Sequence, residues 1–362
     1  MVGWVPLGKV TDMYSISAAD AISPAIERTK ALLFRPFKWG TFLKLGLVAL
    51  ITEGLGSNFR SSSPSRGGGG YTPGRGPMIH SLGDIQPLWI AEGAAMLLLL
   101  LVIAAAIFYL VTRLRFAFFH CLVHNTREIR PGWELYKEQA SRFFWLNIAV
   151  GICFLLLMGL IAIPFVAGFW RVFHEMQPGG APNFGMLLGL ILPLLPIVFV
   201  LVVTGVALDI ILRDWMLPHI ALEDASAGEA WGSVWARIKA EKGQFFAYAL
   251  LRLILPAIAG IAVFLILLIP GLVLAGTVAG VELGIHSAFA NSTGSASVAG
   301  VMLQVFFGLV AFGFALLASI CLGGPLSAGT REYALLFYGG RYPVLGDLLY
   351  PPALPQGSTP AV

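Results

Sequence analysis

Residues 226–253 read SAGEAWGSVWARIKAEKGQFFAYALLRL. Ser226, followed three positions on by Glu229, is a capping-box pattern, in which each side chain satisfies a backbone N–H left free by the first helical turn. Trp231, Val234, Trp235 and Ile238 then fall at i, i+3, i+4 and i+7 on one helical face, flanked by Arg237, Lys239 and Lys242. Such a helix lies along a membrane surface with its indoles at headgroup depth. At Gly243 the pattern changes, and Phe245 and Phe246 open a long apolar run. The stretch therefore predicts a surface helix that turns through an elbow into a membrane span.

Composition extends that reading to the whole chain. Of 362 residues, 57% are hydrophobic and 12% charged, and the mean hydropathy is +0.83. Soluble domains carry about 25% charge, so half that share, together with long apolar runs, indicates a membrane protein. The net charge of +4 is too small to suggest a nucleic-acid partner, and no compact basic domain stands out. Cys121, Cys153 and Cys321 lie far apart without paired spacing, which gives neither a disulfide framework nor a zinc site. The first 36 residues lack the apolar core and small-residue cleavage site of a secretory signal, so a retained, cytosolic N-terminus is expected.

Crossing about 30 Å of hydrocarbon takes about 20 helical residues. Six segments qualify, near 38–56, 88–112, 143–170, 185–211, 245–279 and 297–322. The first is the weakest, because Lys44 and Glu53 interrupt it, and the fifth is too long for a straight span. Pro256 and Pro270 are placed to kink the fifth, and Pro164, Pro193 and Pro196 to bend the third and fourth. Eighteen Lys and Arg residues fall in 1–44, 113–142, 213–242 and the tail, against Arg60, Arg66, Arg75 and Arg171 on the other side. The positive-inside rule then predicts a multi-pass cell-membrane protein with both termini in the cytoplasm. Residues 57–86, rich in Gly, Ser and Pro, read as a low-complexity outer loop. A phosphate-loop reading fails there, since no GK[ST] follows the glycines. Residues 341–362 read as an irregular, Pro-rich cytoplasmic tail.

The elbow at 242–253 has relatives. FRPFKWGTFLKLG at 34–46 and SRFFWLN at 141–147 also set a cation before rings that open a span. Phe37, Phe143 and Phe245 recur at intervals of about a hundred residues, as do the exits RLRFAFF from Arg113, RDWML from Arg213 and REYALLFY from Arg331. The expected fold is all-α integral membrane: a polytopic domain over 1–340 with six transmembrane helices as three pseudo-repeated hairpins (about 18–119, 120–220 and 221–340), entered through cytoplasmic amphipathic helices. Any six-span protein shows basic, aromatic helix ends, but the even spacing favours a repeat. Besides 226–243, the segments 23–34, with Pro24 at the first helical position after Ser23, and 132–142 are the other entrance helices. Phe37, Trp39, Trp231 and Trp235 are the expected interface anchors, and the lipid bilayer is the expected partner, with other membrane proteins as further candidates.

The elbows at 34–46 and 141–148 and the run GEAWGSVWARIKAEKGQFFAYALLRL at 228–253 resemble the membrane domain found beside some bacterial glycerophosphodiester phosphodiesterases and a related group of uncharacterised bacterial inner-membrane proteins. The resemblance covers most of the membrane region and implies an architecture rather than a chemistry. In the phosphodiesterases the reaction belongs to a separate soluble barrel, for which this sequence has no room. No catalytic residue is carried over.

Few residues suggest chemistry. His120 and His124, with Cys121 between them, share a helical face as metal ligands would, but without an HExxH pattern or a further ligand they read as interfacial histidines. Asp209, near the inner end of the fourth span, and Arg252, two turns into the fifth, are costly at that depth unless paired. Three readings stay open: Arg252 snorkels alone, the two form an interhelical ion pair, or they mark a transport site. Glu53, Glu92 and Glu282 sit at expected outer ends, as solvated helix ends or as the rim of a cation vestibule. Gly276, Gly280 and Gly284 have the spacing of close helix packing. No catalytic, cofactor or metal residue is assigned. The expected function is a non-enzymatic envelope scaffold or lipid-interacting protein, with a small transporter or lipid translocator as the alternative and a membrane-embedded hydrolase third.

Overall fold

The computed structural model describes residues 16–54, 87–175, 184–289 and 295–350. Among them every regular element is helical. Helix α1 (Ile22–Phe34) precedes α2 (Trp39–Ala49), which widens into a π turn at Leu50–Gly54. The long helix α3 (Pro87–Val123) is followed by short α4 (Ile129–Leu135) and by α5 (Lys137–Glu175). Helix α6 (Phe184–Ile210) ends in a second π turn, Ile211–Met216, and continues as α7 (Leu217–Leu222). The surface helix α8 (Ala227–Ala240) leads into α9 (Lys242–Phe289), then α10 (Ser295–Gly339) and α11 (Pro343–Leu349).

Five stretches are long and apolar enough to cross a membrane: Glu92–Val123, Lys137–Trp170, Ile191–Leu222, Lys242–Phe289 and Val298–Gly339. The chain is an all-α, multi-pass membrane protein. The segment expected as a first span is not among the five. Its described part, α2 with its π turn, covers residues 39–54, about 24 Å at the helical rise, short of the roughly 30 Å of hydrocarbon. The prolines expected to bend the spans lie inside continuous helices: Pro164 in α5, Pro193 and Pro196 in α6, Pro256 and Pro270 in α9.

The long helices pack most closely at one end; α9 and α10 also touch at the other, where a Cβ on Gly300 would stand 2.8 Å from the Phe289 ring. In α3, Leu97 to Leu101 are each between 53% and 67% exposed. Consecutive helical residues are about 100° apart, so five in a row sample the whole circumference. Twenty residues on, Phe116 to Phe119 are essentially fully buried. They join a core built from α1, α2, the start of α5, the second π turn, α7, α8, the start of α9, the end of α10 and α11. Aromatic rings fill much of it. Tyr248 stacks between Tyr333 (5.2 Å) and Phe337 (4.4 Å), and Trp215 meets Phe245 edge-on at 4.8 Å.

Around that core the local expectations fare unevenly. The capping box of α8 is formed, with Ala230 and Val234 turned inward, and Trp231 and Trp235 stacked on each other and partly exposed. Helix α1 starts at Ile22, earlier than expected, so Pro24 occupies its third position and no side chain caps it. Helix α4 covers 129–135, and the rest of the segment expected as an entrance helix at 132–142 belongs to α5. The expected irregular tail is ordered as far as residue 350. Pro343 opens α11, whose Leu345 and Leu349 share a face at i, i+4 and are buried. The low-complexity segment 57–86 and residues 351–362 lie outside the described residues.

The glycine spacing is also corrected. A Cβ added at Gly276, Gly280 or Gly284 would meet nothing within 4 Å. The close approach is instead between α2 and α10, where a Cβ on Gly324 would stand 2.7 Å from the Gly46 Cα. Only a pair of glycines lets the two backbones come so near.

Candidate functional site

The two π turns carry the charges that the core encloses. Glu53 lies in the first; Arg213 and Asp214 lie in the second. A π turn adds a residue to a helical turn and re-aims the side chains that follow it. Here it directs polar groups from two helices at one another. Glu53 and Asp214 are 8% and 1% exposed, and Arg213 and Arg331 are 5% and 3%.

The Asp214 carboxylate accepts from Arg331 Nη1 at 2.8 Å, from the Tyr248 hydroxyl at 2.8 Å and from Arg252 Nε at 3.1 Å. Arg252 Nη2 donates to Glu53 Oε2 at 2.9 Å, and Arg213 pairs with the same carboxylate oxygen. Backbone oxygens take further donors. Thr52 O accepts from Arg213 Nη2 at 2.9 Å and from Arg115 Nε at 3.2 Å, and Arg213 O accepts from Arg331 Nη1 at 2.8 Å. Five elements (both π turns, α3, α9 and α10) are thereby cross-linked around two carboxylates. Buried charges survive only when paired and fully hydrogen-bonded, and here each carboxylate is shared between two guanidiniums.

This arrangement changes the expected pairing. Arg252 is inside an ion-pair network, but its partners are Glu53 and Asp214. Asp209 faces Arg213 at 3.8 Å, one turn along its own helix, with its side chain 45% exposed. The π turn is the physical reason. It turns Asp214 toward α9, whereas Asp209 stays on the regular helix before it. Glu53 is likewise not a rim residue with Glu92 and Glu282. Those two are exposed, while Glu53 lies within reach of three helices. The acid-bearing exit motifs, Arg213-Asp214 and Arg331-Glu332, were legible as repeated sequence, and their i, i+1 charge alternation was the signal that could have marked the network.

Three further sets of contacts tie the periphery to the same core. Arg28 of α1 reaches Glu332 at 3.2 Å, Leu349 O at 2.9 Å and Leu122 O at 3.0 Å. His219 Nδ1 lies 3.0 Å from the Glu223 carboxylate, and Nε2 lies 2.8 Å from the Tyr338 hydroxyl. A carboxylate only accepts, so Nδ1 carries the proton and Nε2 accepts from the tyrosine. Arg341 joins Glu241 at 2.9 Å and Ile16 O at 3.0 Å.

The other sequence-marked residues fall outside the network. Phe37 and Trp39 cluster with Phe34 and Phe42 at the elbow, all but Phe42 exposed. Arg127, just after α3, donates to Ala31 O, Arg35 O and Pro36 O and so pins that elbow. His120 and His124 have ring centroids 4.4 Å apart, and Cys121 donates to Glu128 O. Among the described residues no three His, Cys, Asp or Glu side chains converge as metal ligands would. In the α8 cap, the Ser226 backbone N–H and then its hydroxyl bond to Glu229 and hold that exposed carboxyl below the usual range.

Fold and site together define a multi-pass helical membrane protein closed at one end by a buried Arg–carboxylate network. The chain belongs to a family of unknown function, DUF7544, whose profile matches residues 16–348. No curated protein and no solved structure matches it.

Proposed function

We propose that the protein is a non-enzymatic, lipid-interacting multi-pass protein of the cell envelope, which acts as a membrane scaffold. One observation carries this reading: the exposure of α3 around its full circumference at Leu97 to Leu101, repeated at Leu155, Leu156 and Leu157 in α5 and at Phe264, Leu265 and Ile266 in α9. Surface of that kind calls for lipid tails, or the spans of another membrane protein, on every side. The charge network then serves to lock one end of the helices in fixed register. The positive-inside asymmetry supports placing that end at the cytoplasmic face, with both termini inside. Six spans in three repeated hairpins remain the preferred topology, since an even number of crossings returns both termini to one side. Delipidation tests the lipid dependence. The melting temperature should fall when the purified protein is stripped of phospholipid and recover when lipid is restored. An unchanged melt in lipid-free detergent would sink the reading.

A further inference from the structure

A cleft of about 360 Å³ lies between α1, α9 and α10. Leu255, Pro256, Ala259 and Pro325 form its apolar wall; Arg252 lines one end, and Lys30 of α1 also borders it. Resting on the lipid-interacting reading above, we infer that this cleft is a specific site for one anionic phospholipid of the leaflet at the packed end.

Three observations lead there. The first is amphipathicity: the wall is almost wholly apolar, and the cations at it are Arg252, shared by Asp214 and Glu53, and Lys30, which pairs with Glu27 at 2.9 Å on the exposed face of α1, where a phosphodiester can compete for it. An acyl chain fits the wall, and a phosphodiester fits the cations. The second is direction. Pro256 and Ala259 lie one to two turns beyond Arg252 along α9, and their neighbours Ile258 and Ile261 are both 61% exposed. The cleft thus runs from the charge network toward helix surface that faces lipid chains. The third is charge. Arg213, Arg252 and Arg331 pair with Glu53, Asp209 and Asp214, and Arg115, held on Thr52 O, brings a fourth guanidinium to the same cluster. Arg252 is the member of that group that lines the cleft, with Nε and Nη2 already held by Asp214 and Glu53. A lipid with net negative charge is favoured beside this cation-rich cluster, whereas a zwitterionic one brings its own ammonium.

The test places the full chain in nanodiscs with equal shares of phosphatidylglycerol and phosphatidylcholine, then counts retained lipid by native mass spectrometry after extraction. Phosphatidylglycerol should be retained in preference. Lys30→Gln, at an exposed position, should weaken that retention about fivefold, the equivalent of about 1 kcal/mol per basic residue at an anionic surface. Ala259→Phe should fill the cleft and abolish it. A phosphatidylglycerol carrying a photoactivatable acyl chain provides a measurement independent of variant folding, and should label 255–259 or 325–326. Equal retention of the two lipids, wild-type retention by Ala259→Phe, or labelling that misses both segments would overturn the site while leaving general lipid dependence intact. Loss of all lipid from the wild type would remove both proposals.

Discussion

Replacing Asp214 by leucine removes the carboxylate that joins three partners. It is 1% exposed and accepts from Arg331, Tyr248 and Arg252 within 3.1 Å. The substitution takes the carboxylate from Arg331 and leaves Arg252 with Glu53 alone in a closed site. Breaking a buried ion pair from one side costs about 3–5 kcal/mol in soluble proteins, whereas interhelical polar contacts in membranes couple by only about 0.6 kcal/mol on average. The Asp214 network lies at the packed end and Arg252 keeps Glu53, so about 3 kcal/mol is expected for Asp214→Leu and a similar loss for Arg252→Leu. The double variant removes both charges together, and the pair should couple by about 1–2 kcal/mol. Asp209 is the control. It is 45% exposed at 3.8 Å from Arg213, so Asp209→Leu should cost about 0–1 kcal/mol. Its effect should add to that of Arg252→Leu within about 0.5 kcal/mol. Unfolding in mixed micelles, followed by tryptophan fluorescence and far-ultraviolet circular dichroism, gives all five free energies. Additivity of Asp214 with Arg252, or a coupling above about 1 kcal/mol between Asp209 and Arg252, would refute the assignment of partners.

Gly324→Ala should destabilise the protein by about 1–3 kcal/mol, because its Cβ meets the Gly46 backbone and no side chain can move aside; Gly280→Ala, facing open space, should be neutral in the same unfolding assay. The depressed carboxyl of Glu229 makes the α8 cap pH-dependent. Its folded value lies below its unfolded one, so the stabilisation is complete above the ordinary carboxylate range of about 4.3 and is lost as pH falls through the folded value. The protection factors for hydrogen exchange at Ala227–Ala230, taken against the intrinsic rate at each pH, should fall at acid pH, and Ser226→Ala should flatten that dependence; equal acid sensitivity in the variant would contradict the cap as its source. A cysteine replacing Ser62 should react with an impermeant thiol reagent on intact cells, and labelling only after lysis would reverse the proposed orientation.

The capped helix within 226–243 was readable because capping is local: Ser226 and Glu229 sit within one turn, whereas the face expected to group Val234 with Trp231 and Trp235 is split, Val234 turning into the core and the indoles outward. The same holds for the five apolar helices, whose length and composition suffice. Local reasoning failed where geometry departs from a straight, regular helix. Glu53 was placed at the far end of a span because nineteen residues suffice to cross a bilayer; in the fold, α2 ends in a π turn, and Glu53 is drawn into the network. The sequence pointed to Asp209 as the acid near Arg252, and no residue pattern announces the π turn at Ile211–Met216 that turns Asp214 inward instead. The tail after Gly340 looked irregular from its prolines, yet Leu345 and Leu349 find a buried face once α10 is present.

By itself the sequence determined the solvent this chain is built for, the identity of its long helices and the surface helix that leads into α9, because hydrophobic run length, capping and positive-charge bias act residue by residue or within a few turns. The tertiary structure alone decided which charges meet. Glu53, Asp214, Arg252 and Arg331 are separated by tens to hundreds of residues, and their pairing depends on the register of four helices, on two π turns and on the Gly46–Gly324 contact that brings two of those helices together. An ion pair is fixed by a few ångströms of relative position, and that distance is set by the packing of the whole core.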